Sequence, residues 1–160
     1  MKVLITGICG FVGRWIAEGL LESLSDLQVF GIDNLARSGS ELNRQKIQSL
    51  GIHFVHGDLR NRSDLDAIPQ VDWVIDCAAL PSVLAGAAGH GSSRNLIEHN
   101  LIGTLNLLEY CRQHQSGLIL LSTSRVYSIR DLVSLPLTEA GDAFALDPES
   151  SLPAGVSHDG

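Results

Sequence analysis

Five short apolar runs punctuate the chain, at residues 2–6, 28–32, 53–56, 73–77 and 118–122, each bounded by Gly, Asp or Ser. Unbroken apolar character, rather than alternation, predicts strands covered on both faces. Helix-length segments with apolar spacings of three and four lie between them. Residues 11–24 carry Val12, Ile16, Leu20 and Leu24; residues 41–50 carry Leu42, Ile47 and Leu50 behind Ser40, which is placed to cap the helix start. Residues 63–68 offer a short helical turn. The longest helix is predicted over 94–114, where Leu96, Ile97, Leu101, Leu105, Leu108 and Cys111 form a stripe expected to lie against the sheet.

Strand and helix alternating in this way define an α/β architecture, a doubly wound parallel sheet with expected strand order 3-2-1-4-5. Two segments break the rhythm. Residues 80–93, rich in Gly, Ala and Ser, are expected to form a loop at the carboxyl end of the fourth strand, where ligands bind in open α/β sheets. Residues 134–160, with Pro136, Pro148 and Pro153 and no clear periodicity, are expected to be a long loop following a domain at 1–133.

Composition narrows the function. A chain of 160 residues with 44% hydrophobic content can bury one core. Its net charge of −7, with 11 scattered basic residues, would repel a phosphate backbone, so no nucleic-acid partner is expected. No apolar run approaches the roughly 18 residues of a membrane span, and the first residues turn polar too early for a secretory signal, so a cytoplasmic location is expected. Cys9, Cys77 and Cys111 are odd in number and lack CxxC spacing, and the six histidines lack HxxxH spacing. Neither a disulfide nor a metal site is expected.

Candidate chemistry begins after the first strand, at Gly7-Ile8-Cys9-Gly10-Phe11-Val12-Gly13. Gly7 permits a tight turn, Gly10 lets the backbone approach a diphosphate, and Gly13 lets the helix pack closely on the strand. The free amides and partial positive charge of the helix start, at Phe11 and Val12, would then face the phosphates. The second strand ends in Asp33, about 20 positions after Gly13. Its carboxylate can accept ribose hydroxyls and would repel a 2′-phosphate, which predicts NAD over NADP. Asn34 beside it joins the candidate site, while Arg37 is near enough in sequence to weaken the preference.

With Asp58-Leu59 following Gly57, Asp76-Cys77-Ala78-Ala79-Leu80, Asn100-x-x-Gly103-Thr104 and Ser122-Thr123-Ser124-Arg125-Val126-Tyr127, the chain resembles the extended short-chain dehydrogenase/reductases, NAD-dependent epimerases and dehydratases of nucleotide sugars. The likeness runs through most of residues 1–127, and it implies a Rossmann domain. It also implies that Asp58 and Leu59 meet the adenine, that Ala78, Ala79 and Leu80 lie along the cofactor, and that Asn100 makes a side-chain hydrogen bond. Thr123 would hydrogen-bond the reacting sugar oxygen. The segment from Thr123 to Ser128 and the stretch ending at 152–157 resemble the branch of 2-epimerases acting on CDP-sugars, whose reaction passes through a 2-keto sugar on a tightly held NAD.

That family transfers the proton with a Tyr-x-x-x-Lys pair, in which the Lys lowers the Tyr pKa. Tyr110 and Tyr127 are followed four residues later by His114 and Asp131, and the lysines are Lys2 and Lys46. The chain is therefore expected to stop before the general base, the sixth strand and the substrate lobe, and to be inactive alone. The nucleotide-sugar site would be incomplete here, and the intact enzyme is expected to be a homo-oligomer. Two alternatives stay open. One is a 4-epimerase or 4,6-dehydratase, although Ser124 and Arg125 replace the acidic pair that elimination would use. The other is a non-catalytic dinucleotide-binding module.

Overall fold

A computed structural model describes residues 1–81, 92–121, 130 and 133–147. The chain divides into two units, Met1–Leu121 and Ser122–Gly160. In the first, the five apolar runs form strands β1 (Lys2–Thr6), β2 (Gln28–Asp33), β3 (His53–His56), β4 (Trp73–Asp76) and β5 (Gly117–Leu120). They pair in parallel in the order β3-β2-β1-β4-β5, as the sequence predicts. Thr6 at the end of β1 stands beside Ile32 of β2 and Asp76 of β4. The strand ends therefore meet at the point where the chain order reverses, the usual ligand crevice of such sheets.

Alternate residues of β1, β2 and β4 feed two cores, which is why these strands read as unbroken apolar runs, whereas Ile119 and Leu120 of the edge strand β5 are exposed. On one face Val3, Ile5, Val29 and Ile75 pack with Ala17 of helix α1 (Phe11–Ser23) and Ile47 of helix α2 (Arg44–Ser49). On the other, Leu4, Ile32 and Val74 pack with Leu65 of helix α3 (Arg62–Asp66) and with Leu107, Tyr110 and Cys111. Ser40 does not cap α2 through its side chain. A 3₁₀ turn, Ser40–Asn43, entered through Gly39 at φ +93°, precedes the helix instead, and Ser40 is buried.

The long helix carries a larger correction. It runs as α4 (Ser93–Ile97), a π-helical turn (Glu98–Ile102) and α5 (Gly103–His114). Of the expected stripe only Cys111 is buried, whereas Ile97, Leu101, Leu105 and Leu108 are exposed. The buried face is Gly103, Leu107, Tyr110 and Cys111. The wider π turn departs from the 3.6-residue rhythm on which the stripe was drawn. Polar groups on the true inner face find partners across it: Asn106 Nδ2 donates to the Leu59 carbonyl at 2.8 Å, and the Tyr110 hydroxyl to that of Pro69 at 2.6 Å.

Residues 134–160, expected as a loop, contain a short hairpin in the second unit. Strands β6 (Leu137–Ala140) and β7 (Ala143–Leu146) pair antiparallel around Gly141-Asp142, with Gly141 at φ +63°. Glycine with positive φ in the first central position is what a type II′ turn requires. No helix among the described residues is long and apolar enough to cross a membrane.

Candidate functional site

The carboxyl ends of β1, β2, β3 and β4 open onto a cleft of about 350 Å³, within the range of small-molecule sites. Its floor is the turn after β1. Gly7 sits at φ +59°, and the Gly10 amide closes the turn onto the Gly7 carbonyl at 2.9 Å. A Cβ at Gly13 would stand 2.4 Å from the Gly7 oxygen, and one at Gly10 3.0 Å from it. Backbone, not a yielding side chain, therefore demands glycine at position 13, whereas a Cβ at position 10 would need the Gly7 carbonyl to give by a few tenths of an ångström. No side chain caps α1 at Gly10, so its first-turn amides are left for an anion in the cleft. Asn43 secures the turn from outside, donating to the Cys9 carbonyl at 2.8 Å.

Asp33, at the end of β2, is drawn against this turn. Its Oδ2 accepts from the Cys9 amide at 3.0 Å and its Oδ1 from the Leu35 amide at 2.8 Å. Each oxygen keeps a second lone pair for a hydroxyl. An uncapped helix start, a cradle that a Cβ would fill and an adjacent acceptor carboxylate together fit a dinucleotide: a diphosphate over Gly7–Gly13 and a ribose beside Asp33.

The loop after β3 forms another wall. Arg60 grips Asp58 in a two-point ion pair, Nε to Oδ1 at 2.9 Å and Nη2 to Oδ2 at 2.7 Å. The Arg60 amide adds a third bond, to Oδ1 at 3.0 Å, and Asn34 Nδ2 a fourth, to Oδ2 at 3.0 Å. These donors, Arg60 foremost, hold the Asp58 carboxyl far below the usual carboxylate range. They also occupy its roughly four lone-pair positions, so an adenine amino group would have to compete with Asn34 for Oδ2.

Behind the floor, Thr6 knots β1 to β4. Its hydroxyl donates to Asp76 Oδ1 and accepts from the amides of Cys77 at 3.1 Å and Ala78 at 3.0 Å. Both Thr6 and Asp76 are buried, and burial raises the Asp76 pKa. Burial likewise lifts the Cys9 thiol to about 11 and the Cys77 thiol to about 12, so neither supplies a thiolate nucleophile near neutrality.

Of the residues singled out in the sequence, Gly7, Gly10, Phe11, Val12, Gly13, Asp33, Asn34, Asp58, Leu59, Ala78 and Ala79 all line the cleft. Leu80 and Asn100 bind one another: Asn100 Oδ1 accepts from the Leu80 amide at 2.8 Å, and Nδ2 donates back to its carbonyl at 3.2 Å. The amide side chain fixes the chain leaving β4 much as a paired strand would. Thr123 lies outside the described residues. Sequence reasoning missed Thr6, Asn43 and Arg60 as well as His99, which lines the cleft. Only Arg60 left a local signal, a base two positions after an acid. Among the described residues no cluster of His, Cys, Asp and Glu could hold a metal.

A doubly wound parallel sheet with a glycine turn and an acid at its switch point is a nucleotide-binding α/β domain of the Rossmann class. The family model for NAD-dependent epimerases and dehydratases matches residues 3–146, and the chain belongs to that family. It is 41% identical over 130 residues to a CDP-paratose 2-epimerase of Salmonella typhi, covering 79% of this chain and 38% of that protein. It is 30% identical over 155 residues to a UDP-glucose 4-epimerase of Pisum sativum, covering 92% and 43%. Among solved structures, the UDP-glucose 4-epimerase of Thermus thermophilus in complex with NAD is similar with a TM-score of 0.55 at 36% identity, over 72% of this chain and 35% of that one. The chain spans about two fifths of the length of the curated relatives it matches.

Proposed function

We propose that this chain is the NAD-binding portion of a nucleotide-sugar 2-epimerase working through a 2-keto sugar. The observation that carries the cofactor half is the Asp33 carboxylate held 3.0 Å from the Cys9 amide, which sets a ribose acceptor directly beside a diphosphate cradle. In this reading the amides of Gly7 to Gly13 take the diphosphate, and Asp33 with Asn34 takes the adenosine ribose. Asp58 and Leu59 border the adenine. Ala78, Ala79 and Leu80 keep the wall low enough for a flat ring, with Asn100 fixing their course, and Thr123 hydrogen-bonds the reacting sugar oxygen.

When bound, NAD would supply a hydride acceptor and donor, so that hydrogen leaves C2 and returns to the other face with no net redox change. The greater identity to the CDP-paratose 2-epimerase and the residues Ser124 and Arg125 after Thr123 support the 2-epimerase reading. Likeness to a 4-epimerase across 92% of the chain supports a 4-epimerase as the second reading. In an intact enzyme carrying this domain, a CDP-sugar deuterated at C2 is expected to invert at C2 with the deuterium retained; inversion at C4 would favour the second reading.

The cofactor half is tested by calorimetric titration of the chain and its Asp33→Ala variant with NAD and with NADP. NAD should bind the parent more tightly than NADP. The variant should lose about tenfold or more in NAD affinity, the equivalent of one charge-assisted hydrogen bond. Equal NAD affinity in parent and variant would overturn the assignment of Asp33.

A further inference from the structure

The ends of β1, β2 and β3 lie side by side in the order in which a dinucleotide carries diphosphate, ribose and base. The glycine turn follows β1, Asp33 ends β2, and Asp58 stands two residues past His56, the residue of β3 paired with Asp33. The Gly57 amide donates to the Asp33 carbonyl at 3.1 Å, which holds the loop after β3 against the end of β2. Neighbouring strands lie about 4.8 Å apart, so a base attached to a ribose at Asp33 falls beside Asp58.

That loop is fixed from behind. The Asp58 amide donates to Asp64 Oδ2 at 2.8 Å, and Asn106 Nδ2 reaches the carbonyls of Leu59 at 2.8 Å and Arg60 at 3.1 Å. The Asp58 carboxylate itself is held mainly by one residue. Arg60 fills both acceptor positions of Oδ1, with Nε at 2.9 Å and its amide at 3.0 Å, and one position of Oδ2, with Nη2 at 2.7 Å. The remaining position of Oδ2 receives Asn34 Nδ2 at 3.0 Å, from a different loop. Asn34 adjoins the ribose acceptor Asp33, so an N–H donor arriving from the ribose side fits this position, and Asn34 is the donor open to exchange.

An unheld carboxylate can turn and accept from several directions. Locked by the Arg60 fork, it presents one exchangeable acceptor in one direction. Such an atom welcomes an exocyclic amino group and repels a carbonyl oxygen at the same place. We propose that Arg60 is a positioning residue that sets the base specificity of the cofactor site: by aiming a single Oδ2 lone pair of Asp58 toward the ribose at Asp33, it selects a 6-aminopurine over a 6-oxopurine. This rests on the cofactor reading above.

The test is calorimetric titration of the chain, Arg60→Met and Arg60→Lys with NAD and with nicotinamide hypoxanthine dinucleotide, which carries a carbonyl oxygen in place of the adenine amino group. Methionine keeps an apolar stem without the fork, and lysine keeps the charge as a point rather than a planar fork. Arg60 is about one-third exposed, so both variants are expected to fold. The parent should prefer NAD about tenfold or more. In both variants the preference should shrink to roughly threefold or less, through weaker NAD binding with little change for the hypoxanthine dinucleotide. A residue that merely stabilised the loop would weaken both dinucleotides alike. The parent's ratio in either variant, equal loss of both dinucleotides, or a parent that binds the two equally overturns the proposal. Failure of NAD to bind the parent would instead overturn the cofactor reading, and this inference with it.

Discussion

Replacing Gly13 by alanine separates the role of a glycine in the cleft floor from the ordinary cost of glycine in a helix. The new Cβ would stand 2.4 Å from the Gly7 carbonyl oxygen and 3.0 Å from both the Gly7 carbonyl carbon and Ile8 Cα. All three are backbone atoms that cannot rotate aside, so the start of α1 must move away from the turn. Overpacking of this kind costs about 1–3 kcal/mol, occasionally more. Alanine returns up to about 1 kcal/mol of helix propensity. Because the contact is with rigid backbone, the steric cost should win, for a net loss of about 2 kcal/mol. Gly19 lies on the same helix with nothing within 4 Å of its would-be Cβ, so Gly19→Ala should gain about 1 kcal/mol. Urea denaturation should thus move the two variants in opposite directions, about 3 kcal/mol apart. NAD affinity should fall about tenfold or more in Gly13→Ala, since the displaced amides belong to the cradle, and should be unchanged in Gly19→Ala. Equal stability of the two variants, or parental NAD binding by Gly13→Ala, would refute this account of the turn.

Thr6→Val keeps the side-chain shape but removes the hydroxyl that serves Asp76, Cys77 and Ala78. Leaving buried polar groups short of partners should cost about 2–3 kcal/mol in urea denaturation, and a loss under about 0.5 kcal/mol would deny the knot its importance. Arg60→Met removes the grip that depresses the Asp58 pKa. A carboxyl whose folded pKa lies below its unfolded value near 3.9 contributes stability that is present above that value and lost as pH falls through the folded one. The variant should therefore be less stable than the parent at neutral pH and converge with it in strong acid. The difference should be about 1 kcal/mol because Arg60 is about one-third exposed. A gap that persists unchanged in strong acid would mean that Arg60 acts through packing instead.

The strand order was legible because the central strands β1, β2 and β4 are covered on both faces, and that burial leaves an unbroken apolar run wherever the strand falls in the chain; the edge strand β5 keeps its apolar residues although Ile119 and Leu120 are exposed. The glycine turn was legible for a similar reason: Gly7 and Gly13 answer to backbone geometry, which fixes residue type at fixed spacing. Asp33 shares the advantage, since the lengths of α1, of the turn after it and of β2 together set its distance from Gly13. The inner face of α5 was not legible. A π turn at Glu98–Ile102 shifts the helical rhythm without any residue that announces it, and the inner face carries Tyr110 and Asn106, whose partners lie 41 and 47 residues away. The β6–β7 hairpin escaped notice because its strands are four residues long and nearly all exposed, so burial imposed no alternation on them. Thr6, Asn43 and His99 gain their significance from neighbours that only the folded chain brings to them.

The account stands on dinucleotide binding at the end of the parallel sheet, and a backbone-amide NMR titration of the chain with NAD tests it most directly. The resonances of Cys9, Gly10 and Gly13, of Asn34 and Leu35 beside Asp33, and of Ala78 and Ala79 should shift together and saturate at one affinity. Saturable shifts confined to other parts of the chain, or no shifts at millimolar NAD, would contradict it.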